Sequence, residues 1–368
     1  MSGIAALSEA GKYLERSERD IRNKWQDLPD ELILKILSYL EVIDLISCGQ
    51  VSKRTRNISQ DSSLWVTANL EKKIVKTDLL ELILSKGCKI LNIANSIVVG
   101  SLSSNIKSHL KVLNLSQSAW GLPTLSLPGP ANYYEEYMAI LEQLLLSCCS
   151  LQKLEMEGLC ITSKMAASIC KNGKTLQKLN LNCRSDLLYN PGIGNKDYTV
   201  PNGNYQAIIK CCQELKEVDL AFLNDSPELS EDDVEFLAKS ISPNIVKLNL
   251  CHQDVLDDHV KILLSRCNKI KVLNLASTFI SQDLLKTIRQ YLNLTLEELS
   301  MSHYGYASFL ELKKMPRLKV LNLYADKEDA KKIHNRIQLV PHLIVRTFFC
   351  DFSGEILPDL NLIYEDLD

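Results

Sequence analysis

Residue types that can do covalent chemistry are present in this 368-residue chain, but not at the spacings covalent chemistry requires. Its 12 cysteines include two adjacent pairs, Cys148-Cys149 and Cys211-Cys212, and neither has the spacing of a zinc site. Asp257-Asp258-His259 sets two carboxylates beside an imidazole, the groups of general acid–base work. It stands where a helical pattern begins, however, and acidic residues there routinely cap the helix and complement its dipole. No phosphate-binding P-loop, no Gly-x-Ser-x-Gly elbow and no His-Glu-x-x-His pair occurs. The expectation is a protein that is not an enzyme, with no cofactor and no metal.

The chemistry that remains is recognition. Glu155, Glu157, Glu217 and Asp219, partly offset by Lys153 and Lys178, can form an acidic patch that favours a basic partner segment. Phe222, His252, His303, Tyr304 and Tyr324 all follow apolar strand-like phrases, with Tyr306 close behind and Trp120 on a long insertion. Aromatic residues anchor protein interfaces more often than most types; the alternative is that they pack inside their own loops. The expected substrate-binding residues are therefore Trp120, Glu155, Asp219, Phe222, His252, His303, Tyr304 and Tyr324.

A recurring phrase must position these residues. A branched apolar residue, two variable residues and then Leu-Asn-Leu, or a close variant, begins at Leu110, Leu151, Leu176, Leu215, Ile245, Ile270, Leu296 and Leu318. A weaker copy begins at Cys88 and a worn one at Leu343. Leu-x-Leu alternation predicts a short strand with one face buried. Helical patterns lie between the strands: Tyr134 to Leu146, Ser230 to Ser240, Asp257 to Leu264 and Ser281 to Tyr291. Such a strand-and-helix unit cannot bury its apolar face alone, so neighbours stack into a solenoid. This is the leucine-rich-repeat pattern. It predicts an α/β horseshoe with parallel strands on the concave side and helices on the convex side. The residue between the two leucines (Asn114, Glu155, Asn180, Asp219, Asn249, Asn274, Ser300, Asn322) faces the concavity, either as amides bonding between strands or as ligand contacts. Cys148, Cys212 and Cys267 each precede a strand phrase by three residues, where buried packing is expected.

Two steps are longer than the rest, from Leu110 to Leu151 and from Leu176 to Leu215. Each holds an insertion of about fifteen residues over the usual repeat. Both are rich in Pro and Gly, both follow the strand, and so both leave the same edge of the solenoid. At the end of the chain, Leu357 to Leu362 mimics the strand phrase too closely after Leu343 for a full repeat. It is either a capping strand or an extended tail.

Ahead of the repeats lies a short apolar block from Trp25 to Trp65. Pro29 suits the first position of a helix, and Asp30 and Glu31 favour its positive end. Leu32, Ile36 and Leu40, with Ile33 and Leu37, predict one apolar stripe. About forty residues seldom make a core alone, so the block should offer an apolar face to a partner.

Through Leu28, Pro29, Glu31, Leu32, Ile36, Leu37, Leu40, Asp44, Leu45, Val51, Lys53, Asp61, Leu64 and Trp65, the block resembles an F-box. It departs from the family at Thr55, where the usual tryptophan, a large apolar anchor, is missing. With its repeats the chain resembles the F-box and leucine-rich-repeat family of substrate receptors of cullin-RING ubiquitin ligases. The resemblance implies docking on a Skp-type adaptor and cullin scaffold through Leu28, Pro29, Glu31, Leu32, Ile36, Leu37, Leu40, Leu45, Val51 and Trp65. It also implies protein substrates, phosphorylated ones among them, and a small accessory phosphate-binding protein. A second reading is a leucine-rich-repeat scaffold or inhibitor with a vestigial box, which Thr55 favours.

The expected organisation is a flexible segment at 1–24, the box at 25–66, a linker with irregular first repeats at 67–109, repeats at 110–347 and a tail at 348–368. A net charge of −3 gives no general pull toward nucleic acid or membrane. No apolar run approaches the roughly 18 residues of a spanning helix, and the start lacks a signal peptide's basic and apolar regions. A cytoplasmic or nuclear protein is expected, its cysteines reduced.

Overall fold

The computed structural model describes residues 25, 27–103, 106–117, 133–159, 161–182, 203–221, 229–281, 283–302, 309–312, 314–325 and 343–349. Trp25 and Asp27 are helical, and three short helices follow among the described residues: α1 (Asp30–Leu37), α2 (Val42–Val51) and α3 (Lys53–Ser59). A 3-10 turn, Ser62–Trp65, closes this block. The helices that follow are α4 (Thr77–Ser85), α5 (Tyr133–Ser147), α6 (Ser163–Lys171) and α7 (Gly203–Cys211). Then come α8 (Glu231–Ser240), α9 (Asp257–Arg266), α10 (Leu284–Leu292) and α11 (Phe309–Leu312).

The strands alternate with these helices. They are β1 (Thr67–Asn69), β2 (Ile74–Lys76), β3 (Ile90–Asn92), β4 (Ile97–Val99), β5 (Val112–Asn114), β6 (Lys153–Glu155) and β7 (Lys178–Asn180). The series continues with β8 (Glu217–Asp219), β9 (Lys247–Asn249), β10 (Val272–Leu275), β11 (Glu298–Ser302), β12 (Val320–Ala325) and β13 (Ile344–Phe349). Strands β2 and β4 pair with each other; the other eleven form one parallel sheet in chain order. Consecutive parallel strands need a crossover between them, which is why a helix or loop follows each one.

Register explains why the sheet holds. Leu91, Leu113, Leu154, Leu179, Val218, Leu248, Leu273, Leu299 and Leu321 stand in one line across it, all buried. They join the apolar faces of the helices in a single core that runs from Ile33 to Leu343. Residues on either side of this line face the opposite, open side of the sheet, as the period of a strand requires.

The stretch 67–109, expected as a linker with irregular first repeats, supplies β1 and β3 of the sheet. Here Lys111 N–H bonds to the Lys89 carbonyl at 2.8 Å, and Lys89 N–H to the Val66 carbonyl at 2.9 Å. Trp65 therefore fills the slot that Cys88 and Leu110 fill in the next two repeats. Of that first copy only Leu70 is a leucine, with Trp65 and Ala68 in the other two slots, so its phrase did not stand out in the sequence. At the other end β13 runs to Phe349, paired along its whole length with β12 from Val320↔Ile344 to Ala325↔Phe349. The expected tail start at 348 thus belongs to the sheet. Residues 1–24, most of both insertions and 350–368 lie outside the described residues.

Candidate functional site

In the helical block, α1 divides its apolar residues between two faces. Ile33 and Leu37 point into the core, while Leu32 and Ile36 are 50% and 43% exposed. The outward row continues to Tyr39, 77% exposed, whose ring lies 5.3 Å from Lys35 Nζ. The single stripe read from the sequence is thus two stripes, one turned inward and one outward. Ile43 and Val51 of α2 are also exposed, Val51 at 78%. Leu28 and Leu40 are half-buried, and Pro29 and Glu31 are exposed. Leu37, Leu45 and Trp65, expected on the docking face, are fully buried and hold the block together from inside. Tyr39 and Ile43 were missed by the sequence reading, although Tyr39 continues the 32, 36, 39 spacing of a helix face.

Pro29 caps α1 from outside rather than opening it, and its carbonyl accepts from Leu32 and Ile33 N–H at 3.1 and 3.2 Å. Arg54 ties α3 to this end, with Nε 2.8 Å and Nη2 2.6 Å from Asp30 Oδ1. Nothing in local spacing signals that tie. Beside it, Asp30, Glu31, Leu34, Asn57, Ile58, Gln60 and Asp61 line an open groove of about 340 Å³ with an acidic lip. Asp61 Oδ1 accepts from Ser63 N–H at 2.9 Å and Ser63 Oγ–H at 2.6 Å. These two bonds hold its carboxyl below the usual carboxylate range.

Thr55 faces inward, at 4% exposure. Ser52 Oγ accepts from Thr55 N–H at 3.0 Å and Thr55 Oγ1 accepts from Ser52 N–H at 3.1 Å, a reciprocal cap on α3. Its missing aromatic ring therefore takes nothing from the outward face. Next to it, α2 and α3 meet so closely that a Cβ on Gly49 would lie 2.9 Å from Ser59 Oγ. Trp65 completes the block by donating from Nε1 to the Ser59 carbonyl at 2.7 Å.

On the open face of the sheet, the residues between the leucines have a different main role from the two expected. Asn92, Asn114, Asn180, Asp219, Asn249 and Asn274 each accept, through Oδ1, the N–H two residues onward, at 2.8 to 3.1 Å. Each side chain so caps the turn that ends its own strand, an Asx turn. The residue after that turn is left-handed: Asn95, Gln117, His252 and Ser277 have φ of 53° to 61°. His252 thus stands at the edge as a turn residue, and its N–H donates to the Ala276 carbonyl at 3.0 Å. In β12 the strand continues to Ala325 instead of turning, which leaves Asn322 Oδ1 buried without a partner.

Burial, only partly offset by hydrogen bonds from Ala221 N–H and the Asn249 side chain, raises the carboxyl of Asp219. The expected acidic patch is largely neutralised. Glu155 pairs with Lys153 at 2.7 Å, Glu217 with Lys178 at 2.9 Å and with Lys247 at 3.9 Å. Glu157 Oε1 accepts from Gln117 Nε2 at 3.1 Å. Tyr324 stacks on Phe348, with ring centroids 5.0 Å apart, and packs against a small apolar group of Ala221, Cys251 and Ala276. With strands about 4.8 Å apart, Glu155 and Asp219 are about 10 Å apart across β7, and Tyr324 stands about 19 Å beyond Asp219. These residues line an extended surface, not a pocket. Trp120, Phe222, His303 and Tyr304 lie outside the described residues.

The groups that resembled an active site are structural. Asp257 accepts from Ser281 N–H at 2.7 Å, Asp258 pairs with Lys261 at 2.8 Å, and His259 Nδ1 accepts from Leu256 N–H at 3.2 Å. Cys148, Cys212 and Cys267 are buried. Burial pushes the Cys148 thiol up to about 11 and the Cys212 thiol to about 12, which keeps both protonated. Among the described residues, no three His, Cys, Asp or Glu side chains gather where they could hold a metal ion. Among them too, no helix is long and apolar enough to cross a membrane.

One comparison bears on the helical block. Residues 25–71 match the family model described as F-box-like, a span that takes in α1, α2, α3 and the strand β1 that Trp65 joins to them. The amino-terminal part of this chain is therefore an F-box-like domain, a module that generally docks onto Skp-type adaptors of ubiquitin ligases.

Proposed function

We propose that this chain is the substrate-recognition subunit of a Skp–cullin–F-box ubiquitin ligase, a non-catalytic receptor in the cytoplasm or nucleus. Its repeats, read as leucine-rich repeats, hold target proteins, phosphorylated ones included, for ubiquitination and degradation. One observation carries the reading. The F-box-like domain turns Leu32, Ile36, Tyr39, Ile43 and Val51 outward although its own core is already complete. Five apolar side chains left in water on one small block are an incomplete interface. At about 25 cal/mol per Å² of apolar area, covering them supplies the energy of docking.

The rate effect follows from holding two things at once. A substrate fixed on the sheet's open face meets the ubiquitin-charged enzyme at a high effective concentration. The fused Trp65 junction limits how far the two ends can move apart. Beyond the family, the chain resembles the S-phase-kinase-associated substrate receptor, through Met301-Ser302-His303-Tyr304 and Val340-Pro341-His342-Leu343. That likeness is the ground for a cell-cycle substrate and a small accessory phosphate-binding protein. Co-purification of the full chain followed by mass spectrometry tests the reading, because it reports adaptor and substrate together. A Skp-type adaptor and cullin in the eluate are the expected result, and their absence contradicts it.

A further inference from the structure

The solenoid brings two thiols together that belong to different repeats. Cys170 lies in the last turn of α6, and Cys211 ends α7. Cys170 Sγ is 3.5 Å from the Ala207 carbonyl, on the turn of α7 that leads into Cys211. Just past α6, Gly173 lies against the end of α7. A Cβ on Gly173 would lie 2.5 Å from the Cys211 carbonyl oxygen and 3.1 Å from that of Cys170. A disulfide needs Cα atoms within about 7 Å, and a side chain at position 173 would push the end of α7 away from the end of α6. Cys211 is exposed and Cys170 half-buried, so solvent reaches the pair. Cys148 and Cys212, by contrast, are sealed in the core.

We propose that Cys170 and Cys211 form a reversible dithiol–disulfide site that clamps two neighbouring repeats together under a peroxide oxidant. The thiolate of Cys211, the exposed partner, attacks hydrogen peroxide; the O–O bond breaks and hydroxide leaves, giving a sulfenic acid. The sulfur of Cys170 then attacks that sulfur, loses its proton and displaces water. In sum, two thiols and one hydrogen peroxide give one disulfide and two waters. Burial and the side-chain interaction with Cys211 push the Cys170 thiol up to about 12. Cys211, the exposed thiol, meets peroxide first and the half-buried Cys170 resolves it, and closure speeds up as pH rises. The ring so closed holds β7 and the second insertion, and the clamp opens again with a thiol reductant.

Peroxide treatment of the full chain, alkylation of the remaining thiols and peptide mapping without reduction test this site. The expected result is a Cys170–Cys211 linked peptide in the native sequence and in Cys149→Ser, with two thiols lost and recovered by dithiothreitol. In Cys170→Ser, Cys211 is expected to proceed to the sulfinic acid, and the melting temperature no longer rises with peroxide. The proposal is overturned if Cys170 and Cys211 are both alkylated after treatment, or if Cys211 overoxidises equally with Cys170 present.

Discussion

Thr55 is where residue type and residue place diverge most. By type it stands for a lost aromatic anchor; by place it is half of a reciprocal helix cap, shielded from solvent. Thr55→Ala is expected to cost about 1 kcal/mol of stability by removing the hydroxyl that accepts from Ser52 N–H, while the Ser52 half of the cap remains, with adaptor affinity unchanged. Thr55→Trp is expected to cost about 1 to 3 kcal/mol by overpacking; denaturant unfolding checks both. Asp219 offers a second case. It sits in a row of asparagines and does their work, but with a carboxyl that burial raises. A folded-state value above the unfolded one means that the ionised form opposes folding. The penalty is absent below the unfolded value and grows as pH rises through the raised one. Asp219→Asn is therefore expected to raise the melting temperature at pH 7 and to have little effect near pH 3, as thermal melts at the two pH values would show.

Among the elements, strands and helices followed from periodicity, while junctions did not. The helix expected from Tyr134 to Leu146 is observed as Tyr133–Ser147, and the eight clear strand phrases all lie in the sheet. Alternating leucines leave a strand few other ways to bury one face, which makes such elements legible. The first strand was missed because Trp65 and Ala68 replace two of the three leucines of its phrase, and the two stripes of α1 merged because 32, 33, 36 and 37 all fit one helical pattern. The asparagine ladder was visible in the sequence, yet its bond to the turn two residues on depends on a backbone conformation that spacing does not encode. The lysines expected to offset the acidic patch were legible, and Lys153 and Lys178 do pair with Glu155 and Glu217; the added approach of Lys247 to Glu217 depends on strand order. Trp65 serves two elements together, so Trp65→Ala is expected to cost about 3 to 5 kcal/mol. Hydrogen exchange should then show protection lost in α3 and in β1. Loss confined to one of them would show that the junction is not shared.

For the whole molecule, the shared junction makes box and sheet one continuous core with two different exposed faces. One is small and apolar, on α1 and α2. The other is long, polar and mostly charge-balanced, on the open side of the sheet, and fits an extended segment better than a small ligand. Their joint use as a receptor rests on the first. The most direct measurement is titration calorimetry of a purified Skp-type adaptor against the full chain and against Leu32→Gln/Ile36→Gln. Both side chains already face water, so the variant should melt like the native chain. About half of each side chain is exposed, and burying that half is worth about 0.7 to 1.5 kcal/mol, so the variant is expected to bind about tenfold to a hundredfold weaker. Equal affinity of the two chains for the adaptor would contradict it.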